Sequence, residues 1–175
     1  MLADLGFIVL GISFAFAVYA TVASAYGGWK NQPALVESAR NAAIVVFPLL
    51  SIPVLILLYS LYVMDFSLAY VADVSSSAMT TFLRLTALWG GQEGSILFWA
   101  WIMAGFVMVV LLRKWDRDRE LMPYVIAVAM FTTAFFIGVS AFISNPFGRM
   151  WLQPGANELI TAVFQPAGAM PYIPR

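Results

Sequence analysis

The chain has 175 residues, of which 62% are hydrophobic and only 10% are charged, with nine basic and nine acidic side chains. Soluble domains carry about 25% charged residues, so this composition excludes an ordinary soluble fold and indicates an integral membrane protein. The neutral balance argues against nucleic-acid binding, and the absence of Cys and His excludes disulfides, thiolate metal sites and imidazole ligands from this chain.

Four segments are long and apolar enough to cross a bilayer, whose core of about 30 Å needs roughly 20 helical residues. They cover residues 5–26, 42–64, 95–112 and 121–143. We therefore predict an all-α bundle of four transmembrane helices within residues 1–144, with an interfacial loop at 65–94 and an irregular, proline-rich tail at 145–175. The predicted spans contain no Asp, Glu, Lys or Arg, which argues against a proton pump or ion-coupled transporter.

The first two spans carry packing signals. Small residues recur every fourth position in the first span, a pattern that permits close contact between helices and suggests neighbours: Ser13, Ala17, Thr21 and Ala25. The second span contains Pro48 and Pro53, which remove backbone hydrogen bonds and predict a kink.

The loop at 65–94 ends in a stretch rich in tryptophan and glycine. Ser75 to Ser77 interrupt any helix, and we predict a short interfacial helix over residues 78–88. Ser95 is predicted to cap the third span, and Glu93 to complement the positive end of that helix. Interfacial tryptophans and turn glycines explain the stretch without a ligand, whereas the alternative is a platform for a flat molecule such as haem, a quinone or a lipid.

Basic residues predict the orientation. The loops after the first and third spans carry six Lys and Arg, and the other side carries three. Because cytoplasmic loops are enriched in these residues, the N-terminus, the 65–94 loop and the tail are predicted to face outward. The charged hairpin at residues 113–120 then serves as a cytoplasmic topology anchor.

Three motifs resemble one family. The sequence WGGQEGSILFW, from Trp89 to Trp99, is similar to the WGGHEGS-LLLW signature of the CcmF family of cytochrome c maturation proteins. The DFSLAYVA stretch from Asp65 resembles the family's DFS-x-x-YVA segment, and SNPF at residues 144–147 matches its segment after the fourth span. The resemblance covers residues 42–147. It implies a cytochrome c haem lyase complex of the bacterial cytoplasmic membrane, in which haem is attached to apocytochrome c at the outer face.

The chain departs from the family where haem ligands are expected. CcmF proteins are several times longer, with a tryptophan-rich WWD domain and paired histidines. The histidine of the motif is Gln92 here, and a later external histidine falls near Tyr172. Haem iron takes His, Cys, Met or Tyr, and this chain offers only Met and Tyr. We therefore expect an N-terminal portion of a CcmF-like protein, split or truncated, which is non-catalytic alone.

The resemblance implies a set of haem- or partner-binding residues, with no catalytic or metal-ligating residue among them: Trp89, Gly90, Gly91, Gln92, Glu93, Gly94, Ser95, Trp99, Ser76, Ser77 and Tyr172. The expected partners are the CcmF-like polypeptide that carries the WWD domain and histidines, other maturation proteins, apocytochrome c and membrane lipid. Haem would be shared with the histidine-bearing chain. Two alternatives remain open: a membrane subunit of a respiratory or quinone-handling complex, and a purely structural membrane anchor.

Overall fold

The computed structural model describes residues 2–113, 119–153 and 158–173, and it is mostly helical. Within these ranges the α-helices are α1 (Leu2–Trp29), α2 (Pro33–Val63), α3 (Ala69–Val74), α4 (Thr81–Thr86), α5 (Gln92–Leu111) and α6 (Met122–Gly138), which a π-turn extends from Val139 to Ile143. Helices α1, α2, α5 and the extended α6 are long and apolar enough to cross a membrane. The predicted all-α bundle of four spans is thereby confirmed.

The four long helices form a ring. Helix α1 packs against α2 and α6, and α5 packs against the same two helices from the other side. The centre of the ring is filled by large aliphatic side chains that are fully buried, among them Leu10, Leu50, Leu57, Leu97 and Met130. Large apolar side chains also cover the outside of the bundle, as expected of helices that face lipid.

The small residues of α1 serve this ring. Ser13 and Ala17 are fully buried, and the Ser13 hydroxyl donates to the Val9 carbonyl oxygen at 2.8 Å. Ala25, further along the helix, is exposed. The stripe therefore packs mainly inside the bundle, in agreement with the close helix contact that its spacing predicted.

Polar contacts at one end of the bundle join α1 to α6 and α2 to α5. The Ser24 hydroxyl of α1 donates to the Pro123 carbonyl oxygen of α6 at 2.6 Å. The Arg40 guanidinium of α2 donates to the Leu111 carbonyl oxygen at 2.7 and 3.0 Å, which places a cation at the negative end of α5. The predicted hairpin at 113–120 follows this end, and residues 114–118 of it lie outside the described residues.

The tail needs a correction. Where the sequence predicted an irregular segment, strand β1 (Arg149–Leu152) pairs antiparallel with β2 (Leu159–Ala162) and with β3 (Met170–Pro171). These strands have two to four residues, too few for the alternating pattern that reveals a strand in a sequence. Residues 154–157, 174 and 175 of the predicted tail lie outside the described ranges.

The tail sheet is fastened to α1 by charge and by packing. Arg149 Nη2 lies 2.6 Å from Asp4 Oδ2. Phe147 of the SNPF segment is fully buried, and its ring lies so close to Gly6 that a Cβ there would stand 2.5 Å from it. Asn145 fixes the backbone that leads to Phe147, because its side-chain oxygen accepts a hydrogen bond from the Phe147 amide at 2.9 Å. The sheet therefore covers the end of the bundle at which α5 begins.

Candidate functional site

The connection from α2 to α5 contains two short helices rather than one. Helix α3 ends at Val74 with Ser75 as its C-cap, and α4 leads directly into a 3₁₀ turn at Ala87–Trp89. The serines interrupt the helix as predicted, and the Ser76 hydroxyl accepts a bond from the Ala78 amide at 3.3 Å. The helix predicted over residues 78–88 is thus shorter, and its last residues tighten into the turn.

Tyr70 of α3 holds this turn from within. Its side chain is 3% exposed, and its hydroxyl oxygen lies 2.7 Å from the Ala87 carbonyl oxygen and 2.9 Å from that of Leu88. Burial raises the pKa of Tyr70 to about 12, and the nearby carboxylate of Glu93 acts in the same direction. Tyr70 was not predicted from the sequence. The signal that could have identified it is a single tyrosine followed by the small aliphatic residues of the YVA segment.

Two glycines of the motif are required by Tyr70. A Cβ on Gly94 would lie 2.1 Å from the Leu88 carbonyl oxygen and 2.2 Å from the Tyr70 hydroxyl oxygen. A Cβ on Gly91 would lie 2.8 Å from the Tyr70 ring and from the Val74 side chain. Neither space admits a methyl group without movement of its neighbours. These glycines are therefore explained by packing, not by a ligand.

Gly90 differs from them. It is exposed, its φ and ψ of −77° and −24° suit any residue, and the nearest atoms to a Cβ there would lie 3.4 Å away. That distance is an ordinary van der Waals contact. Packing among the described residues does not explain the glycine at position 90.

At the start of α5, the predicted Ser95 cap is wrong, whereas Glu93 lies where it was predicted to complement the helix. Its N-cap is Gly91, and no side chain caps the helix. Ser95 lies too deep in the first turn to do so, and its hydroxyl instead donates to the Trp89 carbonyl oxygen at 2.9 Å. Glu93 lies in the first turn, where a carboxylate complements the positive end of the helix.

An aromatic ladder runs from the turn toward α2, formed by Trp89, Phe98, Trp101 and Phe47. Successive ring centroids are 5.7, 5.9 and 5.4 Å apart. The indole of Trp101 donates to the Ser51 hydroxyl at 2.9 Å, which satisfies its N–H inside the bundle. Because the inner rings stack on each other, the outermost ring, Trp89 at 55% exposed, offers the open aromatic surface.

The other predicted site residues lie apart from this turn. Ser76 and Ser77 are exposed between α3 and α4, and Trp99 is exposed on α5 outside the ladder. Tyr172 follows β3, where its amide donates to the Met150 carbonyl oxygen at 3.1 Å. The structure therefore gathers residues 89–95 into one turn, and no hydrogen bond or ring pair joins Tyr172 to them.

The turn can offer a haem an apolar wall. The Trp89 ring and the bare backbone of Gly90 supply flat, uncharged contact area beside each other. Among the described residues, no group of three or more His, Cys, Asp and Glu side chains is placed to hold a metal ion. The exposed groups of this turn thus fit contact with a porphyrin ring, and the turn presents no His or Cys for the iron.

Comparison with known proteins gives related sequences, although no family model matches the chain. It is 29% identical over 174 residues to the cytochrome c-type biogenesis protein NrfE of Haemophilus influenzae, covering 99% of this chain and 27% of that protein. It is 32% identical over 149 residues to CcmF of the same organism, covering 85% of this chain and 23% of that protein. The chain thus spans about a quarter of the length of the curated relatives it matches.

A solved structure shares the fold. The protein titled cytochrome c heme lyase CcmF superimposes with a TM-score of 0.79 at 28% sequence identity, covering 84% of this chain and 25% of that one. The relatives and this structure support the expectation of a CcmF-like N-terminal portion.

Proposed function

We propose that this chain, a CcmF-like N-terminal portion in sequence and fold, serves in a cytochrome c maturation complex that presents haem to apocytochrome c. The relatives named above are cytochrome c-type biogenesis proteins, and the solved neighbour is named a haem lyase. The observation that carries the proposal is the outer side of the turn. There Trp89 and Gly90 stay exposed while Tyr70 fixes the backbone beneath them.

Within that complex the chain forms a wall and another polypeptide supplies the iron ligands. The Trp89 ring offers a flat apolar face on which a porphyrin can stack, and Gly90 lets the flat ligand approach the backbone. These 175 residues include no His and no Cys, so histidine ligands and the thioether chemistry would come from residues outside them. Gln92, exposed at the start of α5, adds a neutral polar group beside that wall.

The complex lies in the bacterial cytoplasmic membrane, with the turn on the outer face. Four membrane-spanning helices and bacterial relatives support the membrane location. The outward direction is supported by the distribution of basic residues, six on the side of the 113–120 hairpin and three on the side of the turn.

The test is co-expression with a histidine-bearing CcmF-like polypeptide and purification of the complex. We expect a Soret band from the complex and none from the isolated chain after incubation with ferric haem. Trp89→Ala should lower haem occupancy while the complex still forms. The matched control is Trp29→Ala, which removes another exposed tryptophan, at the opposite end of the bundle.

Three results would contradict the proposal: a complex that carries no haem, equal occupancy in the Trp89 and Trp29 variants, or stoichiometric haem on the isolated chain. The absorbance of the purified complex also separates haem from the alternative of a quinone. If Trp89→Ala leaves cytochrome c maturation unchanged and alters only stability, the chain is a structural anchor.

A further inference from the structure

Helix α4 contains no buried side chain. Phe82 is 74% exposed and Leu83 is 49% exposed, although both side chains are large and apolar. A helix of six residues is marginal in water and depends on the burial of an apolar face. The described part of the chain does not provide that burial for Phe82.

Arg84 fixes the position of α4 relative to α2. Its Nε donates to the Met79 carbonyl oxygen at 3.1 Å, and its Nη1 donates to the Tyr62 carbonyl oxygen at 3.3 Å. The guanidinium is therefore turned toward backbone carbonyls of the loop and of α2. As a result, α4 is held beside the last turn of α2.

The C-terminal end of α2 carries exposed aromatic side chains of its own. Tyr59 and Tyr62 are 54% and 56% exposed on a helix that is long and apolar enough to span a membrane. Tyrosine is enriched where such helices leave the hydrocarbon, because its ring is apolar and its hydroxyl is polar. Phe82 and Leu83 are exposed on the helix that Arg84 holds beside this end of α2, and we call these four residues the interfacial shelf.

We propose that the interfacial shelf binds the lipid surface, with α4 lying flat in the headgroup region and Phe82 and Leu83 among the upper acyl chains. Bilayer, rather than protein, is the occupant because the shelf continues the exposed flank of a membrane span. None of its four side chains is charged, and each is apolar or, like tyrosine, suited to the boundary. Since α4 leads directly into the 3₁₀ turn, the shelf sets the depth of Trp89 relative to the membrane. This inference does not depend on haem binding.

The chain has no cysteine, so single-cysteine labelling tests the depth directly. Three variants of the full chain are reconstituted in phosphatidylcholine vesicles and labelled with an environment-sensitive fluorophore: Phe82→Cys, Ala78→Cys and Phe106→Cys. Ala78 is exposed in the loop before α4 and serves as the aqueous control, and Phe106 is exposed within α5 and serves as the membrane control. Circular dichroism confirms that each variant is helical.

The label at position 82 should lose quenching by aqueous iodide relative to position 78. It should gain quenching by lipids that carry a nitroxide near the headgroup, whereas position 106 responds more to a deep nitroxide. A label at 82 that behaves like the label at 78 overturns the proposal. So does a label at 82 shielded from both quenchers, because that result means that a second copy or another protein covers the shelf.

Discussion

The turn before α5 carries glycines on both of its sides. Those on the inner side are tightly packed, whereas the one on the outer side is exposed. On the inner side, Gly91 and Gly94 leave no space for a methyl group, because Tyr70 and the Leu88 carbonyl fill it. On the outer side, Gly90 has that space, and Trp89 is more than half exposed. The glycines of one motif are therefore required for different reasons. The inner pair is fixed by the fold, and a functional requirement is to be sought on the outer side.

The strongest test of the inner side is Gly94→Ala. The new methyl group would meet a backbone oxygen and a hydroxyl that is itself hydrogen-bonded, so the turn must shift. We expect a loss of about 3 kcal/mol in unfolding free energy, at the upper end for an overpacked site. Denaturant unfolding in detergent micelles measures it. A smaller loss is expected for Gly91→Ala, where the contacts are side-chain atoms. If Gly94→Ala lost no more stability than Gly90→Ala, the distinction between the inner and the outer side would be wrong.

Tyr70→Phe removes the hydroxyl and keeps the ring. The carbonyl oxygens of Ala87 and Leu88 then lose their buried donor, at a cost of about 1–2 kcal/mol. The same unfolding assay measures the change, with Tyr26→Phe, an exposed tyrosine of α1, as the control. If the two variants lose the same stability, Tyr70 does not hold the turn.

Tyr70 also predicts a pH dependence. Its pKa is about 12 in the folded chain against an ordinary value of 10.0, because burial disfavours the phenolate. The stabilisation is fully present below pH 10 and is lost as the pH rises from 10 to 12, since the unfolded chain releases its proton first. Unfolding free energy should thus fall more steeply over this interval in the parent than in Tyr70→Phe. The remaining tyrosines titrate in both proteins and cancel in the difference, so parallel curves would refute the assignment.

The smallest effect is expected on the outer side. Gly90→Ala should change unfolding free energy by no more than about 0.5 kcal/mol, because the site is exposed and its backbone angles suit alanine. In the co-expressed complex, the same substitution should lower haem occupancy, since a methyl group keeps the flat ligand away from the backbone. A variant that is both stable and fully loaded with haem would show that the outer glycine has no role in binding.

The sequence was sufficient to predict the bundle, because four apolar segments of membrane length determine four spans. It placed the start of the third span too late. Ser95 is the residue type that caps helices, but the observed cap is Gly91, which has no side chain to signal the role. The tail sheet was missed because its strands are shorter than the pattern that reveals a strand.

The sequence drew attention to residues 89–95, which the structure gathers into one turn, but it did not show which of them are fixed by packing. The motif located residues 89–95, whereas the pairing of Gly91 and Gly94 with Tyr70 joins residues more than 20 positions apart across two short helices. No local pattern encodes such a contact. The function of Tyr70 becomes visible only when α3 and the 3₁₀ turn are seen packed together.

The ion pair between Asp4 of α1 and Arg149 of the tail implies an order of assembly. Asp4 and Arg149 stand 145 positions apart along the chain, and the Ala69 amide of α3 donates to the Gly148 carbonyl oxygen at 2.9 Å. During synthesis, neither contact can form until the ribosome has delivered the segment that follows the fourth span. The contacts of the tail with α1 and α3 therefore form only after the fourth span has been synthesised.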